Sequence, residues 1–172
     1  MKILQNFIPH HLLTICAGKL ASSNNKILKS ILIKAFIKVY QPDLSLAKKK
    51  HARDYDNYND FFIRELEDDA RPIDKNHHTV CSPVDGSVVD FGIIQSGQLI
   101  QAKKFRYDLA ELVGDLEFAA ELEGGTFITI YLAPTDYHRI HCPLGGKIIN
   151  TNHMGDDLYS VNLNAQTSVP SL

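Results

Sequence analysis

The 172-residue sequence has no tryptophan, only three cysteines and no acidic residue before Asp43. Each shortage excludes something. Cys16, Cys81 and Cys142 lie far apart, form no CxxC pair and are odd in number, which suits neither a disulfide framework nor a zinc knuckle. Reduced thiols in a cytosolic compartment are the plain reading. Ten glycines and seven prolines are too few for a fibrous or low-complexity chain. No apolar run approaches the roughly 20 residues of a membrane span, and none leads compactly to a small-residue cleavage site. Neither GxGxxG nor GxxxxGK[ST] occurs, so no nucleotide loop is legible. What is present, 44% hydrophobic and 22% charged residues, is ordinary globular usage and argues against disorder. The length suits one compact domain, with or without a helical appendage.

The missing acid creates an asymmetry. Residues 1–42 hold Lys2, Lys19, Lys26, Lys29, Lys34 and Lys38, while the rest of the chain holds 12 Lys or Arg against all 20 Asp and Glu. On a helical wheel of residues 26–40, Ile27, Leu28, Ile31, Leu32, Ala35, Phe36 and Val39 share one side, with Lys26, Lys29, Lys34 and Lys38 opposite or at its borders. Ser22-Ser23-Asn24-Asn25 offers N-caps. Residues 2–16 read as a weaker helix interrupted at Pro9. Two readings stand: a helical hairpin packed on the protein's own core, or an interfacial pair with lysines on anionic headgroups. The absence of acid over 42 positions favours the membrane. The absence of Arg there, and of aromatic–basic interleaving, argues against nucleic acid.

After the head, residues 41–58 read as a polar connector whose Lys48-Lys49-Lys50 is a solvated turn of helix. Asn57 or Asn59 caps a short helix over Phe61-Phe62-Ile63-Arg64-Glu65-Leu66, stopped by Arg71-Pro72. Strand character follows over 87–94, turns at Ser96-Gly97 and resumes over 98–102. Residues 107–113 predict a short helix ending before Gly114. Residues 126–132 form the strongest strand, and a last pair is expected over 147–153 and 158–163. The fold class is α+β: N-terminal amphipathic helices followed by a mostly antiparallel β-sheet domain, apparently incomplete. The segments divide as a basic head (1–42), a helical connector (43–78) and a partial catalytic β-rich domain (79–172).

Chemistry concentrates in two places. Tyr131-Leu132-Ala133-Pro134-Thr135-Asp136-Tyr137-His138-Arg139-Ile140-His141-Cys142-Pro143 reads as a strand delivering the chain to a single helical turn, which sets His138 and His141 on one face. Ser82-Pro83-Val84-Asp85-Gly86 reads as a rigid turn in which Gly86 permits a positive φ. Three chemistries are open. His138 and His141 can be polar structural residues. They can bind a metal with His153 or Asp85 as a third ligand, as in a metal-dependent hydrolase. Or Asp85 can orient one imidazole that activates a hydroxyl, for which no serine is identifiable.

Taken together these segments, with Ala70-Arg71-Pro72-Ile73 and Gly155-Asp156-Asp157-Leu158-Tyr159-Ser160-Val161-Asn162, resemble the phosphatidylserine decarboxylase proenzyme family along nearly the whole chain. The resemblance implies a self-processing enzyme on the membrane surface. Asp85 and His141 match the self-cleavage pair, and His138 matches the histidine near the decarboxylating centre. A serine attacks the carbonyl of the preceding glycine and becomes a covalent pyruvoyl group, whose ketone captures the amine of phosphatidylserine and takes up electrons as CO₂ leaves. The implied cofactor is that pyruvoyl group, with no metal. The implied partners are anionic phospholipid membrane, phosphatidylserine and a C-terminal α-chain segment. The implied place is the cytoplasmic face of the inner membrane, as a peripheral protein. One departure is large. The family's serine lies in a Leu-Gly-Ser-Thr type segment, whereas the single Gly-Ser pair here is Gly86-Ser87. The expectation is an N-terminal portion, fragment or truncated product, inactive alone; otherwise a non-catalytic membrane-binding remnant.

Overall fold

A computed structural model describes residues 10–76, 78–100 and 106–153. In chain order the elements are α1 (His10–Ala21), α2 (Lys26–Tyr40), a 3₁₀ turn (Ala52–Asp54), α3 (Tyr58–Phe62), β1 (Ser87–Ile93), β2 (Gln98–Ile100), β3 (Arg106–Asp108), α4 (Leu109–Val113), α5 (Leu116–Glu121) and β4 (Thr126–Tyr131). This is α+β, and its sheet among the described residues is incomplete: β1 pairs only with β4, and β2 only with β3, antiparallel. The chain divides into two compact units, one of residues 15–87 and 131–147, the other centred on 88–130.

In the first unit α2 spans the residues the wheel delimits. Asn25 Oδ1 accepts from Ile27 N and Leu28 N, and Gln41 closes the helix in the left-handed conformation. Its burial is different from the wheel's. Ile33 and Phe36 enter a core with Tyr55 and Phe61, while Ile27, Ile31 and Val39 stay exposed. Phe61 meets Tyr55 edge-on at 5.2 Å and Phe36 at 5.6 Å, the arrangement that ring quadrupoles favour. Lys29 Nζ, on the same side, donates to the Tyr55 carbonyl. Asn57 caps α3 through Asp60 N. The triple lysine is not a turn of helix. Residues 46–48 run extended against 65–67, with Lys48 N donating to Glu65 O at 2.9 Å and Glu67 N to Leu46 O at 2.8 Å. Lys48, Lys49 and Lys50 then pair with Asp68, Asp60 and Glu67. Of the weaker first helix, residues 2–9 lie outside the described residues; the described helix runs His10–Ala21.

In the second unit, Ile94 just past β1 exchanges hydrogen bonds with Gly124 and Gly125 just before β4, so the two strands run antiparallel. At Gly92 a Cβ would lie 3.0 Å from the Phe127 ring, so the ring packs directly on the glycine and would have to shift by a few tenths of an ångström to admit a side chain. Ser96 and Gly97 both have positive φ, as a type I′ turn requires, and Glu123 caps it by accepting from both amides. Residues 106–108 form β3 rather than the start of a helix, and α4 begins at Leu109, capped by Asp108. α5 is an element the sequence reading lacked. A small core of Ile94, Leu109 and Ala119 holds this unit together. Residues 147–153 form no strand; the partner expected over 158–163 lies outside the described residues.

Candidate active site

The site lies wholly in the first unit and is assembled by the exit of α3. Four consecutive residues there, Phe62 to Glu65, grip the segment after β4. Arg64 is buried, and its Nη2 donates to the carbonyls of Thr135 (2.8 Å) and Asp136 (3.0 Å). Arg139 returns the contact, donating from Nε to Ile63 O at 2.8 Å and from Nη1 to Glu65 at 2.8 Å. Phe62 stacks on the His138 ring with centroids 4.1 Å apart. Inside the segment, Asp136 Oδ2 accepts from Ala133 N, and Ala133 O accepts from Asp136 N and from His138 Nε2.

These bonds correct one expectation. Residues 134–141 form no helical turn. The carbonyls of Thr135 and Asp136, which a helix would direct to later amides, go to Arg64 instead. His138 and His141 therefore have separate surroundings. His138 lies against Phe62, and burial holds its imidazole below the ordinary histidine value, partly offset by the Ala133 carbonyl. That carbonyl accepts a hydrogen bond from Nε2–H, which leaves Nδ1 unprotonated in the neutral ring. His141 is accessible. Its Nε2 lies 2.9 Å from the Tyr137 hydroxyl, and the two rings stack at 5.5 Å.

Asp85 reaches His141 through backbone pairing. Cys81 N donates to Pro143 O at 3.2 Å and His141 N to Pro83 O at 2.8 Å. This is an antiparallel register with Cys81 opposite Pro143 and Pro83 opposite His141. Each pair lacks its second bond because the donor would be a proline nitrogen. Beyond it, Gly86 adopts a positive φ. The Asp85 carboxylate takes a side-on fork from Arg71, whose Nε lies 2.8 and 3.1 Å from its two oxygens and Nη2 2.5 Å from Oδ2. The Arg71 hydrogen bonds hold the Asp85 carboxyl below its usual range against the effect of burial, with His141 and Arg64 adding to the lowering.

The result is a cleft of about 640 Å³ whose lining includes Arg71, Asp85, Tyr137, Arg139 and His141. An ionised carboxylate, a solvent-reachable imidazole and a phenol face one space, which can orient a hydroxyl and move its proton. His138 is not among the residues that line it. Among the described residues no group of three or more His, Cys, Asp or Glu side chains comes together as a metal site, and no helix is long and apolar enough to cross a membrane.

A family model for phosphatidylserine decarboxylase matches residues 58–172, two thirds of the chain and all of this cleft except Lys48. The chain belongs to the phosphatidylserine decarboxylase family. A second model, described as PSD, matches residues 3–41. Relatives named phosphatidylserine decarboxylase proenzyme are 45% identical over 170 residues in Aliivibrio salmonicida, 42% over 169 in Azotobacter vinelandii and 40% over 168 in Acinetobacter baumannii. Each alignment covers 98% of this chain and 59% of the relative, so the chain spans about three fifths of their length. For a phosphatidylserine decarboxylase family member, the sequence reading had missed Arg64, Arg71, Tyr137 and Arg139 as parts of the site. A signal for Arg64 existed: a lone arginine inside an otherwise apolar helix exit, Phe61-Phe62-Ile63-Arg64.

Proposed function

We propose that these 172 residues form the front portion of a phosphatidylserine decarboxylase proenzyme, and that the intact enzyme converts phosphatidylserine to phosphatidylethanolamine and CO₂. The observation that carries the reading is the pairing of 81–83 with 141–143, which sets an ionised Asp85 and an accessible His141 in one cleft. In this reading His141 accepts the hydroxyl proton of an incoming serine. Asp85 stabilises the imidazolium that forms, as the carboxylate of a catalytic triad does. Tyr137 holds the imidazole through its hydroxyl. His138, whose ring is fixed by Phe62 and Ala133, keeps a bare Nδ1 for proton handling in the decarboxylation step.

The groups of the cleft fit a small covalent keto group: the exposed His141 ring and the hydroxyl of the buried Tyr137 bonded to it are hydrogen-bonding groups on its lining. When present, a pyruvoyl group supplies a ketone that captures an amine and accepts electrons as CO₂ departs. The serine that would generate it belongs to a C-terminal α-chain segment, because the single Gly-Ser pair here opens β1. The 172 residues alone accordingly form no pyruvoyl group and release no CO₂.

The head (1–42) is read as the membrane-associating part, the connector (43–78) as its link and residues 79–172 as part of the catalytic domain. Exposed Ile27, Ile31 and Val39, beside exposed Lys34 and Lys38, offer an apolar stripe with cations for an anionic phospholipid surface. In this reading the protein is peripheral, on the cytoplasmic face of the inner membrane. The test joins these residues to a cleavage segment of the family and follows chain cleavage by mass spectrometry and CO₂ release from phosphatidylserine. Asp85→Asn and His141→Ala should abolish cleavage. Normal processing in both would remove the assignment.

A further inference from the structure

Ala70-Arg71-Pro72-Ile73 has no role in the chemistry described so far, yet its arginine makes the closest contact in the cleft. Pro72 biases Arg71 toward extended backbone, and Arg71 Nη1 is tied to its neighbour's carbonyl, Ala70 O, at 2.7 Å. That leaves the Nε–Nη2 edge for Asp85, and this edge meets both carboxylate oxygens. Asp85 enters from the other side on a turn fixed by Ser82 Oγ donating to Val84 O at 2.7 Å. The charged and titratable groups around the carboxylate are Arg71, His141 and the more distant Arg64, with Tyr137 and Asp43 acting on Arg71. Of these, Arg71 alone is bonded to it among the described residues. A half-exposed ion pair contributes about 0–1 kcal/mol to folding, so stability does not account for a fork with this geometry. A planar guanidinium fixes direction, which an ammonium cannot do.

We infer that Arg71 is a positioning residue: its fork holds the Asp85 carboxylate in a single orientation toward the cleft, so that Asp85 acts on the His141 imidazole from a fixed direction. The inference rests on the reading that Asp85 and His141 drive self-processing.

The experiment compares Arg71→Gln and Arg71→Lys with the unaltered sequence in the proenzyme joined to a cleavage segment, measuring self-cleavage rate across pH. In parallel, the Asp85 carboxyl carbon is titrated by NMR in the 172-residue chain. Arg71→Gln should raise the Asp85 titration by about one pH unit or more, carry the acidic limb of self-cleavage upward with it, and slow cleavage roughly tenfold or more. Arg71→Lys should keep the acidic limb near its original place yet fail to recover the rate, because charge returns without the fork. Wild-type rate and limb in Arg71→Gln, or full rate in Arg71→Lys, would overturn the inference. If Asp85→Asn and His141→Ala themselves cleave normally, the self-processing reading fails separately. The carbon titration of Arg71→Gln then still decides whether Arg71 holds the carboxylate.

Discussion

Residues 15–87 with 131–147 keep most of their aromatic rings inside and throw their arginines across. Phe36, Tyr55 and Phe61 make the core, while Arg64, Arg71 and Arg139 tie segments about 70, 14 and 75 positions apart in sequence. Residues 88–130 do the reverse. Their core is three modest side chains, Ile94, Leu109 and Ala119, and their strands present Phe91 (73% exposed) and Ile128 (56%) outward. The chemistry-bearing loop is thus fixed several times over by its own chain. The two-stranded sheets have no such cover among the described residues, and paired strands are marginal until something packs on them. These exposed apolar side chains are where the α-chain segment proposed above would pack. The site's walls and the sheet that flanks them in sequence stand at different stages of completion.

The comparison can be broken most forcefully at Phe61, which is fully buried. Phe61→Ala should cost about 3–5 kcal/mol, read by urea denaturation followed through tyrosine fluorescence, since no tryptophan is present. Next is Arg64→Ala, expected to cost about 2–4 kcal/mol by stripping a charged donor from two backbone carbonyls. Imidazole NMR signals of His138 and His141 should lose their dispersion while amide signals from 88–130 persist. Equal disturbance of both sets would erase the distinction between the units.

A smaller effect is set by pH. Burial lowers the folded His138 value beneath 6.5, so the unfolded chain takes up the proton first, and stability falls as pH drops through 6.5 toward the folded value. His138→Phe should flatten that decline in a series of denaturation curves. The Asp85 contribution, with its folded value lowered, is present above 3.8 and is lost as pH falls through the folded value. It therefore appears only on the acid side of the same series. Smallest of all, Ile128→Thr should change stability by no more than about 0.5 kcal/mol, because that side chain faces solvent. In the proenzyme it should weaken association with the α-chain segment, measured by co-purification after cleavage.

The short-range features were legible in the sequence. Asn25 before an apolar–lysine repeat marks α2 to the residue, and Ser96-Gly97 marks a turn because both positions need positive φ. α5 was missed, although Asp115 followed by good helix formers was a usable cap signal: its Oδ1 accepts from Glu117 N and Phe118 N. Long-range choices were less legible. The wheel separates apolar from basic residues, but Ile33 is buried because Tyr55 and Phe61 arrive beside it, and nothing within α2 encodes their arrival. The helical turn expected for His138 and His141 fails for the same reason: an arginine 71 residues away claims the carbonyls it needed. Residue chemistry brought Asp85, His138 and His141 to notice, and motif resemblance delivered the family. It did not convey that Arg71 would stand on Asp85 or Tyr137 on His141, because those contacts depend on a register two prolines half-conceal.

Those prolines leave a practical mark. Where two paired strands would ordinarily shield four amides across these positions, Pro83 and Pro143 leave two, Cys81 N–H and His141 N–H. Solvent deuterium can therefore question the site at two protons. Slow exchange at both means the Asp85 and His141 segments are docked, and simultaneous loss means they have parted, a built-in gauge of readiness that needs no substrate.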